Sequence, residues 1–238
     1  MPSRPAADGP VFDTTLEAIR EHTHQLLGAT IGFSEEYWAG STGLPGWTRS
    51  HVAAHLVEQA RGLVRVCRGL GEYRPARMYA SHADKMAAIE RGALAGGLQL
   101  QIDLDTSASE LQALLPTLSG DTTPVELRAG DPMPACQIPL ARLFEVVVHS
   151  VDLGVEGTEA HLGDDIAMDL LAFEASRIGN RSDVPGMLLL ADEGFQARVG
   201  AEEAFETVGG PAVDLVLWLA RGVVSPKLRG AWDHTEHV

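Results

Sequence analysis

His51 and His55 stand four residues apart, and so, far downstream, do Glu145 and His149. In an α-helix that interval puts two side chains on one face, about one turn apart. Two such helices facing each other in a bundle can bring three or four ligands to a single ion. Two imidazoles and a carboxylate suit zinc, and three protein ligands leave a position open for water or a substrate. The same residues also read as ordinary polar side chains. Leu140, Phe144, Val147 and Val151 make one stripe of the later helix, and Glu145 and His149 fall nearly opposite it, beside Arg142 and Asp152. That pattern permits a solvated face. His55 lies at the edge of its own helix's apolar stripe, with His51 further out. Against solvation stand Val146, Val147, Val148 and Val151, which bring apolar neighbours to several sides of Glu145 and His149. A carboxylate drawn into such surroundings needs a partner or a metal.

The elements that must carry these residues are mainly helical. Leu16, Ile19, Leu26, Thr30 and Phe33 recur at helical spacing and predict a first helix. Gly43, Pro45 and Gly46 punctuate the chain, and Thr48 is the expected N-cap of a second helix over 49–69. Its stripe is Val52, Leu56, Ala60, Leu63, Cys67 and Leu70. A third helical region covers 81–118, interrupted at Gly92, Gly96 and Gly97. Residues 121–139 read as a long irregular connection rich in Pro, Gly and Asp. A fourth helix over 140–153 ends near Gly154 and Gly157. Four helices so connected read as a bundle. Beyond it the texture changes: a helix over 164–178, two short strands, 187–191 and 195–199, around Asp192-Glu193-Gly194, and a last helix over 213–220. The expected fold is therefore mainly α: a four-helix bundle over 1–157, followed by a small α+β domain over 158–238.

Composition narrows the functional classes. The 238 residues are 45% hydrophobic and 21% charged, as in ordinary globular proteins. With 33 acidic against 18 basic side chains the formal charge is −15, which repels a phosphate backbone and argues against a nucleic-acid partner. No apolar run has the length of a membrane span, the first ten residues do not read as a signal peptide, and a cytoplasmic location is expected. Cys67 and Cys136 are far apart and read as small buried hydrophobes rather than a disulfide. His22, His24, His82, His161, His234 and His237 read as surface or satisfied residues, and Trp47 as a packing anchor. Nothing in the sequence fixes the oligomeric state, and a monomer is compatible with it.

Gly46-Trp47-Thr48-Arg49-Ser50-His51-Val52-Ala53-Ala54-His55-Leu56 and Arg142-x-x-Glu145-Val146-x-Val148-His149-x-Val151-Asp152-Leu153-Gly154 resemble the mycothiol-dependent maleylpyruvate isomerase family. That family lies within the DinB-like group of metal-binding helical bundles. Gly210-Pro211-Ala212-x-Asp214-Leu215-x-Leu217-Trp218-Leu219 is similar to the last helix of the family's C-terminal domain. The resemblance implies a DinB-like bundle, a Zn²⁺ held by His55, Glu145 and His149, and mycothiol as thiol cofactor. It leaves His51 a neighbour of the site, with a catalytic or supporting role. It also implies a catalytic arginine near the chain's end. Arg221 is the first candidate, one residue earlier than the family pattern, and Arg229 is the second. Lys85 and Met86, after Met78-Tyr79-Ala80-Ser81, stand where the family pattern has Arg and Asn.

The implied chemistry is thiol activation. Zinc favours thiolate over thiol. A thiolate can add to a double bond conjugated to a carbonyl, allow rotation, and leave as the trans isomer is released. Arg221 would meet the enolate charge. Release of the adduct instead would make a mycothiol S-transferase acting on another electrophile. The partners are then a small-molecule thiol and a small electrophilic substrate. A chain this acidic, with few basic residues near its motifs, looks poorly suited to a dianionic substrate, which favours the transferase. The third reading is a metal-binding module without catalysis.

Overall fold

The computed structural model describes residues 10–128, 130–158, 162–179, 181–201 and 205–232. The chain divides into two compact units, residues 1–158 and 159–238. Among the described residues no helix is long and apolar enough to cross a membrane.

Four long helices dominate the first unit: α1 (Pro10–Thr30), α3 (Arg49–Gly71), α5 (Gly97–Leu114) and α6 (Ile138–Leu153). Helices α1 and α3 each pack against both α5 and α6, which closes a four-helix ring. Its core joins Leu26 of α1, Val52 and Leu56 of α3, Leu100 and Leu104 of α5, and Val146 and Leu153 of α6. These are the apolar stripes of the sequence, now facing inward.

Three local features depart from the expected layout. The third helical region is two helices, α4 (His82–Ala93) and α5, with a 3₁₀ turn at Leu115–Leu118. The break falls among the glycines that flagged it; α5 joins the ring, while α4 packs against α3. Between α1 and α3 lies a short helix, α2 (Glu35–Ala39), whose N-cap Ser34 accepts a hydrogen bond from the Tyr37 amide at 3.1 Å. One turn is too brief for periodicity to register, yet it buries Trp38 in the core. The connection expected to be irregular holds an antiparallel hairpin, β1 (Pro124–Arg128) and β2 (Asp131–Pro134), with Val125 opposite Met133. Its prolines obscure it in sequence, and a two-stranded ladder tolerates them because both strands are edges.

The start and end of the two motif helices are fixed by side chains. Thr48 precedes α3, and His51 closes the cap by accepting from the Thr48 amide through Nδ1 at 3.2 Å. Helix α6 ends at Gly154, which takes a left-handed conformation (φ +79°). A Cβ there would also sit 2.6 Å from the Tyr37 hydroxyl oxygen.

The second unit contains α7 (Asp164–Ile178), β3 (Met187–Ala191), β4 (Gln196–Val199), β5 (Glu206–Gly210) and α8 (Ala212–Arg221). Strands β3 and β4 pair antiparallel around Asp192-Glu193-Gly194, as the turn residues suggest. Strand β5, read from sequence only as the approach to the last helix, pairs parallel with β3 along its whole length. Its glycines mask the strand pattern, and its partner lies too far back to be inferred locally.

One close approach in the first unit bears on function. Gly62, buried midway along α3, has the Met78 side chain directly against it; a Cβ would meet Met78 Cε at 3.0 Å and Cβ at 3.1 Å. The Arg65 Nε donates to the Met78 carbonyl at 3.0 Å and fastens the same segment. Replacing Gly62 by Val must push this segment off α3. Denaturant unfolding should show a loss of about 1–3 kcal/mol from the overpacking, whereas Gly43→Val, with open space around its Cα, should change stability by less than about 1 kcal/mol.

Candidate metal centre

Helices α3 and α6 pack against each other and present His55, Glu145 and His149 to one point. One carboxylate oxygen, Oε2 of Glu145, accepts from His55 Nε2 at 2.9 Å and lies 3.2 Å from His149 Nε2. The two imidazoles meet edge to face, with ring centroids 4.6 Å apart. The three ligand atoms fall within 4.8 Å of one another, and among the described residues this is the one group of three metal-binding side chains that comes together. Both histidines are buried, while 27% of the Glu145 side chain remains exposed. The site is therefore enclosed by protein on the histidine side and reachable by a small molecule on the other. Two imidazole nitrogens and one carboxylate oxygen fit zinc with a position to spare.

The solvated-face alternative fails because α6 is covered on nearly every side. Arg142, one turn before Glu145, is 2% exposed and donates to the Leu56 carbonyl at 3.1 Å and to Gln59 Oε1 at 2.5 Å. Burial brings its pKa down to about 10, with the charge of Glu145 opposing the shift. Burial likewise works against ionisation of Glu145, yet hydrogen bonds from His149 and His55 hold its carboxyl well below the ordinary value of 4.5. Desolvation lowers His55 below its ordinary 6.5, against the pull of Glu145. Near neutral pH the site thus offers a carboxylate and a neutral His55, the forms a metal requires.

Residues 19–154 match the mycothiol maleylpyruvate isomerase N-terminal domain family. The chain belongs to that family. In fold it resembles the crystal structure of the mycothiol-dependent maleylpyruvate isomerase, with a TM-score of 0.79 and 21% identity over 91% of each chain. A mutant of that isomerase with one histidine replaced by alanine gives a TM-score of 0.74 and 20% identity over 88% of each chain. No curated protein sequence matches the chain. The mainly helical, DinB-like fold expected from the sequence is thereby established; identity at this level speaks to fold alone.

In this mycothiol maleylpyruvate isomerase domain His149 has a support that sequence reasoning missed. Its Nδ1 pairs with Asp152 Oδ2 at 2.7 Å. The Asp152 side chain is only 5% exposed. With an ion bound, a carboxylate at Nδ1 would hold the proton there and leave the Nε2 lone pair to the metal. The signal was present: Asp152 follows His149 by three residues, the other helical neighbour spacing.

His51 does not join the cluster. Its Nδ1 serves the α3 cap, with Thr48 Oγ1 at 2.8 Å, and its Nε2 lies 3.4 Å from Glu90 of α4. Trp47 packs between these roles, its ring 6.4 Å from His51 and 5.5 Å from His55. Arg221 is the last residue of α8 in the second unit, where its guanidinium donates to the Ala220 carbonyl at 2.7 Å. Arg229 pairs with Asp192 at 2.5 Å within the same unit. Cys67 and Cys136 are unbridged and buried, and burial pushes the Cys67 thiol up to about 11. His22 is buried, His24 and His82 are exposed, and His161, His234 and His237 lie outside the described residues. The impression that basic residues are scarce near the motifs is corrected by the fold. Lys85 acts electrostatically on His55, and Arg65 and Arg142 act on Tyr79 beside Glu145. Arg65 and Lys85 come from other stretches of sequence, whereas Arg142 lies within the second motif itself.

Alanine at His55, Glu145 or His149 should eliminate stoichiometric zinc binding in a chelator competition. Asp152→Asn should keep the fold and weaken zinc about 10- to 100-fold. Acid should destabilise the metal-free protein. His55 and Glu145 both have lowered native pKa values, so the unfolded chain binds more protons as pH falls. Thermal stability should decline as pH drops through about 6.5 and again through about 4.5. His55→Gln should remove the upper part of that decline.

Proposed function

We propose that the chain is a zinc- and mycothiol-dependent cis–trans isomerase of the maleylpyruvate isomerase type. The observation that carries this reading is the Glu145 oxygen set between the Nε2 atoms of His55 and His149, in a chain of this family. The reaction class is isomerisation of a double bond conjugated to a carbonyl by reversible thiol addition. It needs a deprotonated thiol, an electrophile held beside it, and cations to meet the substrate's charge. Zinc bound by His55, Glu145 and His149 would supply the first, by lowering the pKa of a thiol at its open position.

The chain's own residues account for the rest. Glu145 stays ionised and His55 neutral near pH 7, so both keep their ligand forms without an additional proton acceptor. Asp152 fixes the orientation of His149. The Arg142 guanidinium, held by Leu56 and Gln59, offsets the buried charge of Glu145 and keeps the two helices in register. Lys85 and Arg65 add positive potential where a dianionic substrate would approach. Those cations support the isomerase reading over an S-transferase acting on an uncharged electrophile.

The test is the ultraviolet spectrum of maleylpyruvate mixed with zinc-loaded protein, with and without mycothiol. Conversion to the fumaryl isomer is expected only with the thiol, and Glu145→Gln should reduce the rate by at least about 10²-fold. Thiol consumption without isomerisation would identify an S-transferase instead. Zinc binding with neither activity would leave a non-catalytic metal module.

A further inference from the structure

A cavity of about 410 Å³ lies between α3 and the segment that leads into α4, lined by Glu58, Arg65, Arg77, Tyr79, Asp84 and their neighbours. That size suits a small organic ligand. Glu58 is three residues beyond His55 on the same face of α3, which places the cavity beside the metal cluster along the helix.

The charges around this cavity are uneven. Its two acids are already engaged: Glu58 pairs with Arg61 at 2.9 Å, and Asp84 accepts from the Ser81 hydroxyl at 2.7 Å. Its cations are not paired with acids, and Arg65 is held by the neutral Met78 carbonyl. Among the described residues no carboxylate lies within ion-pair distance of Arg65, Arg77 or the adjacent Lys85, in a chain of net charge −15. Arg65 and Lys85 flank the Tyr79 ring, 5.9 and 5.6 Å from its centroid. The Tyr79 hydroxyl is buried and meets no hydrogen-bonding partner among the described residues. A buried hydroxyl left unpaired costs free energy that a ligand acceptor would recover.

We propose that this cavity is a carboxylate subsite, in which Tyr79 donates its hydroxyl to a small dicarboxylic ligand and Arg65, Arg77 and Lys85 meet the ligand's charge. The subsite deepens the isomerase reading by giving the substrate's carboxylate a place, and it rests on that reading for the identity of the substrate. Gly62 and the Arg65–Met78 bond hold the segment carrying Tyr79 against α3, so the hydroxyl is positioned before any ligand arrives.

The test is calorimetric titration of the zinc-loaded full chain with maleate, separate from any turnover. Tyr79→Phe should weaken binding about tenfold. The Arg77→Ala/Lys85→Ala double variant should lose at least as much and flatten the salt dependence of affinity. Arg20→Ala, an exposed cation on α1, should bind as the unaltered chain does, and circular dichroism melts should show all variants folded. Equal affinity in every variant, or no binding of maleate at millimolar concentration, would overturn the subsite. Maleate binding that depends on these residues, without mycothiol-dependent turnover, would keep the subsite and reject the isomerase. Turnover with unchanged KM in the variants would do the reverse.

Discussion

An ionised carboxylate taken out of water needs its charge received by the protein, and Glu145 is the carboxylate around which the first unit is arranged. Two imidazoles donate to it, and a guanidinium fully enclosed in the bundle lies one turn before it. Each partner comes with requirements of its own. Arg142 must have acceptors, so α3 supplies the Leu56 carbonyl and the Gln59 amide. His149 must present the correct nitrogen, so Asp152 takes the other. His55, Glu145, His149 and Asp152 are thus linked contact by contact, and Arg142 acts on them through its charge rather than by a direct bond.

That system sits in an acidic chain, and the distribution of its few cations matters more than their number. Arg61, Arg68 and Arg229 are spent on surface carboxylates, where solvent screens such pairs and they contribute little. Those near the candidate centre are held differently: Arg142 by backbone and amide oxygens, Arg65 by a carbonyl. Neutral acceptors leave their charge available. Net charge alone therefore misjudges which ligands the chain can accept, since field at a site depends on local rather than total charge.

The legible parts of the sequence were those governed by short-range rules. Helical spacing placed α1, α3, α6 and α8, and the Thr48 cap and Gly154 stop were visible as residue types. The trio His55, Glu145 and His149 became visible through resemblance, since spacing alone allowed an exposed face. What stayed hidden required knowledge of distant partners. Burial of Arg142 depends on α3 lying over it, strand β5 on β3 lying beside it, and the grouping of Lys85, Arg65 and Tyr79 on Met78 docking at Gly62. His51 shows a local rule that spacing alone did not reveal. The reading left it a neighbour of the site, and its Nδ1 also closes the cap of its own helix.

The division of the ligands between helices has a consequence for how the molecule comes together. Glu145 and His149 are neighbours on α6 from the moment that helix forms, whereas His55 is 90 residues away along the chain. A cation joining all three would act as a cross-link across that long loop, narrowing the conformations open to the unfolded polypeptide. An unfolded or half-folded chain can offer it only the local pair. Full occupancy would thus report completed assembly of the bundle, and the ion would add its cross-link only once the fold is formed.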